Sequence, residues 1–282
     1  GITDLQEQFA PDWLPEGVTP KEGKKLLQIA KDELFKLQDR FYADHGRAML
    51  IVLQGMDASG KDGTIKHVMQ GVNPQGVVVH NFKAPSTLDM SHDFLWRNEI
   101  AVPRLGHIGI FNRSQYENVL VTRVHPELLW PKTSVPHSGD IWAERYRQIN
   151  DWERRLEDQG TVVVKLFLNL SLEEQTRRFL SRVDDPAKNW KVSPSDMKER
   201  RYWSQYLEAF TEMLNHTSTD YAPWHVLPAD NKWFLRLAAV SVILEEMRQI
   251  DPQYPTVSDE DRANLAKMRE ELVSEIPPAP AA

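Results

Sequence analysis

The residues of this chain with the clearest chemical potential form a short glycine-bearing string that ends in a lysine. Gly55-Met56-Asp57-Ala58-Ser59-Gly60-Lys61 has the G-x-x-x-x-G-K spacing of a phosphate-binding loop. Its glycines permit backbone angles that turn successive amide groups toward phosphate oxygens, and Lys61 adds a mobile cation. The spacing predicts a phosphate cradle whose other lining residues are Gly55, Ala58, Ser59, Gly60, Asp62 and Gly63.

Two carboxylates distinguish this loop from the usual pattern. Asp62 stands where a Ser or Thr hydroxyl normally holds Mg²⁺, and Asp57 lies inside the loop. If Mg²⁺ binds here, or Mn²⁺ in its place, Asp57 is the expected metal ligand. The third predicted strand ends in Asn112, where such proteins usually have a metal-binding Asp, so Asp57 must supply more of the negative charge.

The elements around the loop are those that a phosphate cradle requires. An apolar run at 48–53 precedes it and predicts a strand, and residues 63–69 can begin a helix after it. The alternative is a plain glycine turn that leaves Lys61 in solvent. Further strands are predicted at 77–82, as a buried strand, and at 107–111, 161–168 and 224–228, with helical patterns between them, which indicates an α/β domain.

Several charged residues follow the ends of these predicted strands. Ligands of open α/β sheets bind at the carboxyl ends of the strands, so Lys83 and Arg113 are expected to contact phosphates. Glu117 is the acidic residue nearest to Arg113 in sequence and is the best candidate for an acceptor contact. Arg123 is expected to line the path of a polyanion or an acceptor.

A basic segment follows the fourth strand. Ser171 and Glu174 have the spacing of a capping box that opens a helix, and Arg178 and Arg182 lie four residues apart on that helix. The polar, proline-broken stretch 184–194 predicts a mobile lid over about 178–200, with a long helix at 195–215 behind it. A helical hairpin with a basic outer face is the alternative.

Composition narrows the classes of protein further. The 282 residues carry a net charge of −7, which argues against a nucleic-acid-binding protein, and they include no cysteine, which excludes disulfides and thiolate metal sites. Residues 165–205 nevertheless hold nine basic and six acidic side chains, so an anion site would be local. The apolar runs are far shorter than the ~20 residues of a membrane span, and a cytoplasmic protein is expected.

The predicted domain organisation has three parts. Residues 1–47 form an arm and an amphipathic helix packed on the core, and residues 48–255 form the phosphate-binding domain. Residues 256–282 form a charged helix, from about 259 to 276, and a disordered proline-alanine end.

Four strings together resemble the polyphosphate kinase 2 family. They are Gly55-Met56-Asp57-Ala58-Ser59-Gly60-Lys61-Asp62-Gly63-Thr64, Phe111-Asn112-Arg113-Ser114 with Tyr116-Glu117, Pro186-Ala187-Lys188-Asn189-Trp190-Lys191, and Thr217-Ser218-Thr219 with Ala222-Pro223-Trp224. The resemblance implies a P-loop kinase fold, with a parallel five-stranded sheet in three α/β/α layers and a helical lid. It also implies Mg²⁺-dependent, reversible transfer of the terminal phosphoryl group of inorganic polyphosphate to a nucleotide.

The resemblance also implies roles for individual residues. By the resemblance, Asp57 is the metal and catalytic residue, Lys61 binds phosphate, and Asn112 and Arg113 lie beside them. Because phosphoryl transfer needs charge neutralisation, we also expect Lys61, Arg113, Arg178 and Arg182 to neutralise the transferred group. The Asn-Arg-Ser form with Glu117 is similar to the subclass (class III) that accepts both nucleoside mono- and diphosphates, AMP and ADP in particular. The family often forms homodimers or homotetramers, and no nucleic-acid or membrane partner is expected.

Two other functions fit the residues alone. An ATP-dependent small-molecule or nucleotide kinase would use the same loop, because the loop does not distinguish a nucleoside triphosphate donor from polyphosphate. A non-catalytic polyanion-binding module is the second alternative, although Asp57 would be unfavourable in an anion site without a metal.

Overall fold

The computed structural model describes residues 1–131 and 139–276, and its centre is a single parallel sheet of five strands. The strands are β1 (Ala48–Gly55), β2 (Val77–Asn81), β3 (Ile108–Asn112), β4 (Thr161–Asn169) and β5 (Trp224–Pro228). Their order across the sheet is β2-β3-β1-β4-β5. The strand that precedes the predicted phosphate cradle therefore lies in the middle of the sheet.

The helices are, in chain order, α1 (Leu5–Gln8), α2 (Pro20–Asp44), α3 (Lys61–Val68), α4 (Thr87–Met90), α5 (Trp96–Glu99), α6 (Val121–Val124), α7 (Ile141–Asp158), α8 (Leu172–Val183), α9 (Pro194–Glu199), α10 (Trp203–Thr217), α11 (Lys232–Ile250) and α12 (Asp259–Glu275). Short 3₁₀ turns, among them Gln115–Asn118, Asn189–Lys191 and Arg200–Tyr202, connect some of them.

Alternate side chains of β1 enter two separate cores, which gives the molecule its three layers. Met49 and Ile51 point to the side covered by α2 and α11, and Leu50 and Val52 to the side covered by α7 and α10. Because both faces are covered, β1 and β4 are almost entirely buried and mostly apolar, with Lys165 of β4 as a buried charged exception. The three-layer fold with a five-stranded parallel sheet is thus confirmed.

The register of the central strands brings the predicted site residues to one edge of the sheet. Leu53 of β1 lies opposite Asn112 of β3, and Gly55 lies opposite Leu168 of β4. The loop after β1 and the turn after β3 therefore leave the sheet side by side, at the carboxyl ends where α/β proteins bind ligands.

The expectation of a buried second strand was wrong. β2 lies at the edge of the sheet, and Val78 and Val79 are 44% and 42% exposed. Consecutive valines predict a strand correctly, but they do not reveal whether a strand ends the sheet.

The helix expected over 195–215 is divided. α9 is followed by the 3₁₀ turn Arg200–Tyr202 and then by α10, so the lid segment, residues 178–200, contains the end of α8, a 3₁₀ turn and α9. The helical pattern expected between the third and fourth strands corresponds to α7, and the proline-alanine end lies outside the described residues. Of the helices described, none is both long and apolar enough to cross a membrane.

Candidate active site

The loop between β1 and α3 has the backbone of a phosphate cradle. Gly55 and Gly60 have φ angles of 152° and 107°, and a Cβ atom on Gly55 would lie 2.7 Å from the carbonyl oxygen of Leu168. Gly60 is the N-cap of α3, and no side chain of the described residues accepts from the first amides of that helix. Those amides are available to an anion, and their partial positive charge favours one.

Lys61 lies against the loop that it follows. Its Nζ donates to the carbonyl oxygens of Gly55 and Met56, at 2.7 and 3.1 Å. Burial, and then the charge of the nearby Arg113, lower the pKa of Lys61 to about 8, although Asp57, Glu117 and Asp62 act in the opposite direction. An arriving phosphate would restore the stability of the ammonium form.

Arg113 connects the loop to the turn after β3. Its guanidinium donates to Oδ1 of Asp57 at 3.0 Å and lies 3.9 Å from the carboxylate of Glu117. These carboxylates, Glu117 foremost, raise the pKa of Arg113. The residue has a φ of 61°, which is uncommon for a non-glycine residue and recurs at functional sites.

Asn112 orients a neighbouring carboxylate. Its Nδ2 donates to Oδ1 of Asp62 at 2.7 Å and to Oδ1 of Asn81 at 2.6 Å. An Asp at this position would place its negative charge beside Asp62, whereas the amide forms hydrogen bonds to it. Asn81 was missed by the sequence reasoning, and its place at the end of a predicted strand was the available signal.

Arg178 holds the phosphate loop in place through hydrogen bonds to its backbone. Its Nη1 donates to the carbonyl oxygens of Ala58 and Ser59, both at 2.9 Å, and its Nη2 donates to those of Ala229 and Asp230 after β5. Its Nε donates to Glu174 at 2.9 Å. The guanidinium is thus engaged by the protein itself, and the role of neutralising the transferred group stays a prediction.

The same contact changes the expected capping box at the start of α8. Ser171 Oγ accepts from the amide of Glu174, as predicted. The reciprocal bond is replaced, because the Glu174 carboxylate turns to Arg178 and the Ser171 amide donates to Asp230 at 2.9 Å. Glu174 therefore neutralises one of the two arginines that share a helical face.

A large basic cavity, of about 870 Å³, opens beside the loop. It combines residues 57–64 with Asn81, Lys83, Asn112, Arg113, Arg178, Arg182 and residues of the lid segment. Its Lys and Arg side chains number nine and its Asp side chains three, a net charge of +6 in a chain of net charge −7. The nine are Lys61, Lys83, Arg113, Arg178, Arg182, Lys188, Lys191, Lys232 and Arg236.

Two of these cations come from α11, an element that contributed no predicted site residue. Lys232 and Arg236 lie on the first turns of α11, four residues apart, on the side that faces the cavity. Burial and the charge of Arg178 lower the pKa of both. The four-residue spacing of Lys232 and Arg236 could have indicated a basic helical face, but most other residues of this helix are apolar and indicate a core helix.

A second, smaller cavity lies on the other side of Asp57 and Arg113. We call it the acceptor-side cavity, after the role that is proposed for it below. It is lined by Gln54, Gly55, Met56, Asp57, Arg113, Glu117, Leu120, Val121, His125, Leu128, Gln175, Asp196, Glu199, Arg200, Trp203, Tyr206 and Phe210. Asp57, Arg113 and Asp196 line both cavities, so a group placed there is open to both.

The far wall of the acceptor-side cavity is tied to the phosphate loop. Arg200 donates from Nε to Oε1 of Gln175 at 3.0 Å and from Nη2 to Thr176 at 2.6 Å. The Nε2 of Gln175 in turn donates to the carbonyl oxygen of Asp57 at 2.9 Å. Neither Gln175 nor Arg200 was predicted to be a site residue, and no sequence motif marks them.

Arg123 is not brought to the other site residues. It lines neither cavity, and its guanidinium contacts Tyr146 Oη at 3.2 Å, the ring of Trp142 and the carboxylate of Glu212. The position of Arg123 therefore does not support the expectation that it lines the path of a polyanion or an acceptor.

Asp57 has a carboxylate that could hold a divalent metal ion. The described residues contain no cluster of three or more His, Asp or Glu side chains arranged for a metal. The Asp57 carboxylate is 37% exposed at the junction of the cavities, and Arg113 engages only its Oδ1. Mg²⁺ is commonly held by one or two carboxylates and completed by substrate phosphates and water, so this donor set fits it.

Comparisons with known proteins agree with the geometry. A family model for polyphosphate kinase 2 matches residues 18–255. The ADP-polyphosphate phosphotransferase of Rhodopseudomonas palustris is 44% identical over 253 residues, covering 88% of this chain and 87% of the relative. The AMP/ADP-polyphosphate phosphotransferase of Meiothermus ruber is 42% identical over 246 residues, covering 86% and 89%.

A solved structure extends the agreement to the fold. The crystal structure of polyphosphate kinase 2 from Arthrobacter aurescens matches with a TM-score of 0.87 and 39% sequence identity, over 96% of this chain and 94% of that one. The resemblance expected from the four sequence strings is confirmed, and the chain belongs to the polyphosphate kinase 2 family.

Proposed function

We propose that this protein transfers the terminal phosphoryl group of inorganic polyphosphate to ADP and to AMP. The observation that carries the proposal is the junction of two unlike cavities at Asp57 and Arg113. A donor and an acceptor can approach that point from opposite sides, which is the in-line arrangement that phosphoryl transfer needs.

The basic cavity is suited to the donor. Polyphosphate bears negative charge along its whole length, and the nine Lys and Arg side chains extend from the phosphate loop to α11 and the lid segment. A nucleoside triphosphate offers fewer charges and a base, for which this cavity has Phe82 and Trp190 as its only aromatic rings among the described residues. The charge distribution therefore favours an extended polyanion.

The acceptor-side cavity is suited to a nucleotide. Trp203, Tyr206 and Phe210 of α10 give it an aromatic wall, on which a base can pack. Arg113 and Arg200 give it cations for the phosphates of the acceptor, and Glu117 lines the same cavity 3.9 Å from the guanidinium of Arg113.

Phosphoryl transfer requires the protein mainly to position the two substrates and to neutralise the charge of their phosphates. An oxygen of the acceptor's terminal phosphate bonds to the terminal phosphorus of polyphosphate, and the bond from that phosphorus to its bridging oxygen breaks. Lys61 and the loop amides would hold the donor phosphates, and Arg113 would stabilise the charge of the group in transit. Mg²⁺ or Mn²⁺ held by Asp57 would neutralise phosphate charge when bound.

The acceptor range follows from Asn112 and from the relatives. One relative is named for ADP and the other for AMP and ADP, at nearly equal identity. Asn112 lines the basic cavity, where it adds no negative charge beside Asp62, and the Asn112-Arg113-Ser114 form with Glu117 resembles the subclass that uses both acceptors. We therefore include AMP as an acceptor.

The test is nucleotide analysis after incubation with Mg²⁺, long-chain polyphosphate and either ADP or AMP, in separate tubes without ATP. We expect ATP from ADP, and ADP followed by ATP from AMP. Product from ADP alone would reject the broad acceptor range, and no product in either tube would reject the proposed function.

An Asp57→Asn variant tests the proposed role of Asp57 in the site. It keeps the size of the side chain and its bond to Arg113, but it removes the charge that would hold the metal. We expect a decrease in kcat of about 10²- to 10³-fold. Turnover near that of the wild type would reject the role of Asp57.

Two further proposals concern the environment of the enzyme. Its nucleotide substrates, and a chain without cysteines, are in keeping with a cytoplasmic location. A homodimer or homotetramer is expected from the family resemblance alone, and light scattering after size-exclusion chromatography would measure it.

A further inference from the structure

A cluster of polar side chains is completely buried behind the turn that follows β3. Tyr116 Oη donates to Oε1 of Glu153 at 2.7 Å, and Lys165 Nζ donates to Oε2 of Glu153 at 2.7 Å and to Tyr116 Oη at 3.1 Å. All three side chains are 0% exposed and line neither cavity. We call Tyr116, Glu153 and Lys165 the buried triad.

The buried triad joins elements that are far apart in sequence. Tyr116 belongs to the 3₁₀ turn Gln115–Asn118, Glu153 to α7 and Lys165 to β4. Lys165 Nζ also donates to the carbonyl oxygen of Thr217, the last residue of α10, at 2.6 Å. The position of the 3₁₀ turn is therefore fixed by the sheet and by both helices of one layer.

Neighbouring contacts reach the same turn. Gln115 Nε2 donates to the Glu153 carboxylate at 3.0 Å, and Arg145 of α7 donates to the carbonyl oxygen of Asn118 at 2.9 Å. On the loop side, Gln54 Nε2 donates to Ser114 Oγ at 3.0 Å. The turn is thus held at both ends by buried polar groups.

The residues next to the buried triad face the acceptor. Glu117, one position after Tyr116, lines the acceptor-side cavity, and Arg113 precedes the turn in a left-handed backbone conformation. Such a conformation persists only where the surroundings hold it. The side chain of Tyr116 points into the buried triad, and that of its neighbour Glu117 points into the acceptor-side cavity. A displacement of Tyr116 would therefore also displace Glu117.

We propose that the buried triad is a positioning device for the acceptor half of the site, acting through Glu117, which lines only the acceptor-side cavity, without touching substrate. The inference rests on the proposed function. It predicts that damage to the triad weakens the use of the nucleotide and spares the use of polyphosphate, because the loop and α11 hold the donor independently of the turn.

The test is the Tyr116→Phe variant with polyphosphate and ADP. The change removes the hydroxyl but keeps the ring, which packs against Trp224 with ring centroids 4.9 Å apart. Loss of one buried hydrogen bond should raise the KM for ADP about fivefold to tenfold. The KM for polyphosphate should stay within about twofold of the wild-type value.

Tyr221→Phe is the matched control. Tyr221 Oη donates to the carbonyl oxygen of Asn150, also on α7, at 2.9 Å, and it lines neither cavity. We expect both KM values of this variant to be unchanged. Thermal melting of each variant measures any loss of folded protein, which would lower kcat but leave the KM values as they were.

A double-mutant cycle with Glu117→Gln tests the route of the effect. If Tyr116 acts through Glu117, the two changes together should raise the KM for ADP by less than the product of their separate effects. Equal increases in both KM values, a decrease in kcat alone, or independent effects in the cycle would each overturn the proposal. If the wild-type protein forms no ATP, the proposed function fails, and ADP affinity measured by calorimetry then tests the triad by itself.

Discussion

The Nζ atom of Lys165 lies 2.7 Å from a carboxylate oxygen of Glu153, and water reaches neither side chain. Burial lowers the pKa of Lys165, and the charge of Glu153 raises it again. Removing two ions from water is costly, so such a pair adds little net stability compared with apolar side chains of the same shape. Removing only one partner, in contrast, is strongly destabilising, because the other charge stays buried without a countercharge.

This relationship predicts unequal effects of single and double replacements. Lys165→Met should lower the free energy of unfolding by about 3–5 kcal/mol, because Glu153 loses its countercharge. Adding Glu153→Gln to that variant should recover a large part of the loss. Denaturation by urea, with the slopes compared, measures both values. Equal stability of the single and the double variant would contradict the prediction.

Arg178 gives a second prediction, which separates support of the loop from binding of phosphate. Its planar fork donates to four backbone carbonyls, and a lysine cannot reach them all. Arg178→Lys should therefore lower the free energy of unfolding by about 3 kcal/mol and raise the KM for polyphosphate.

Arg182→Lys is the control for that measurement. Arg182 lines the same cavity on the same helix, but its guanidinium makes only weak described contacts, one of 3.5 Å with the carbonyl oxygen of Lys191 and one with the ring of Phe179. The Arg182→Lys variant should therefore have the same thermal midpoint as the wild-type protein. If Arg178→Lys retains wild-type stability and loses only activity, Arg178 is a phosphate ligand rather than a support.

The sequence was most informative where local chemistry determines structure. The spacing of Gly55, Gly60 and Lys61 between a strand and a helix predicted the cradle, and the alternation of strands and helices predicted an α/β domain. These features depend on backbone angles and periodicity, which neighbouring residues impose.

Features that depend on partners distant in sequence were not predictable in the same way. Gln175 meets Asp57 across 118 residues, and Lys165 meets Tyr116 across 49. Nothing near Gln175 in the sequence marks it, and a lysine within an apolar strand reads as an interruption. Arg123 shows the converse, since its place near other site residues in sequence did not bring it to the site.

Lys61 gives a prediction for pH. Its pKa of about 8 means that the free enzyme loses the ammonium charge as the pH rises through 8, well below the ordinary value of 10.5. The kcat/KM for polyphosphate reports ionisations of the free enzyme, so it should fall above pH 8 with unit slope. Bound phosphate stabilises the charge, so kcat should fall only at higher pH. A kcat/KM that stays level to pH 9.5 would contradict the pKa.

The stability contribution of Lys61 should change in the opposite direction. Its pKa is lower in the folded protein than in the unfolded chain, so the unfolded chain binds more protons between pH 8 and 10.5. The free energy of unfolding due to this residue therefore rises through that interval. The titration of Lys61 therefore gives no loss of folded protein above pH 8, and melting curves at each pH will separate a decline in activity from unfolding.

Arg236 tests whether α11 is part of the donor site. Arg236→Gln removes one of nine cations from the basic cavity and leaves the acceptor-side cavity untouched. The KM for polyphosphate should rise about threefold to tenfold, more at low than at high salt, and the KM for ADP should not change. Lys267→Gln on α12 makes the same change in net charge on an exposed helix that contributes to neither cavity. If the two variants have equal effects, polyphosphate responds to the net charge of the molecule, whereas an effect of Arg236 alone places the donor along α11.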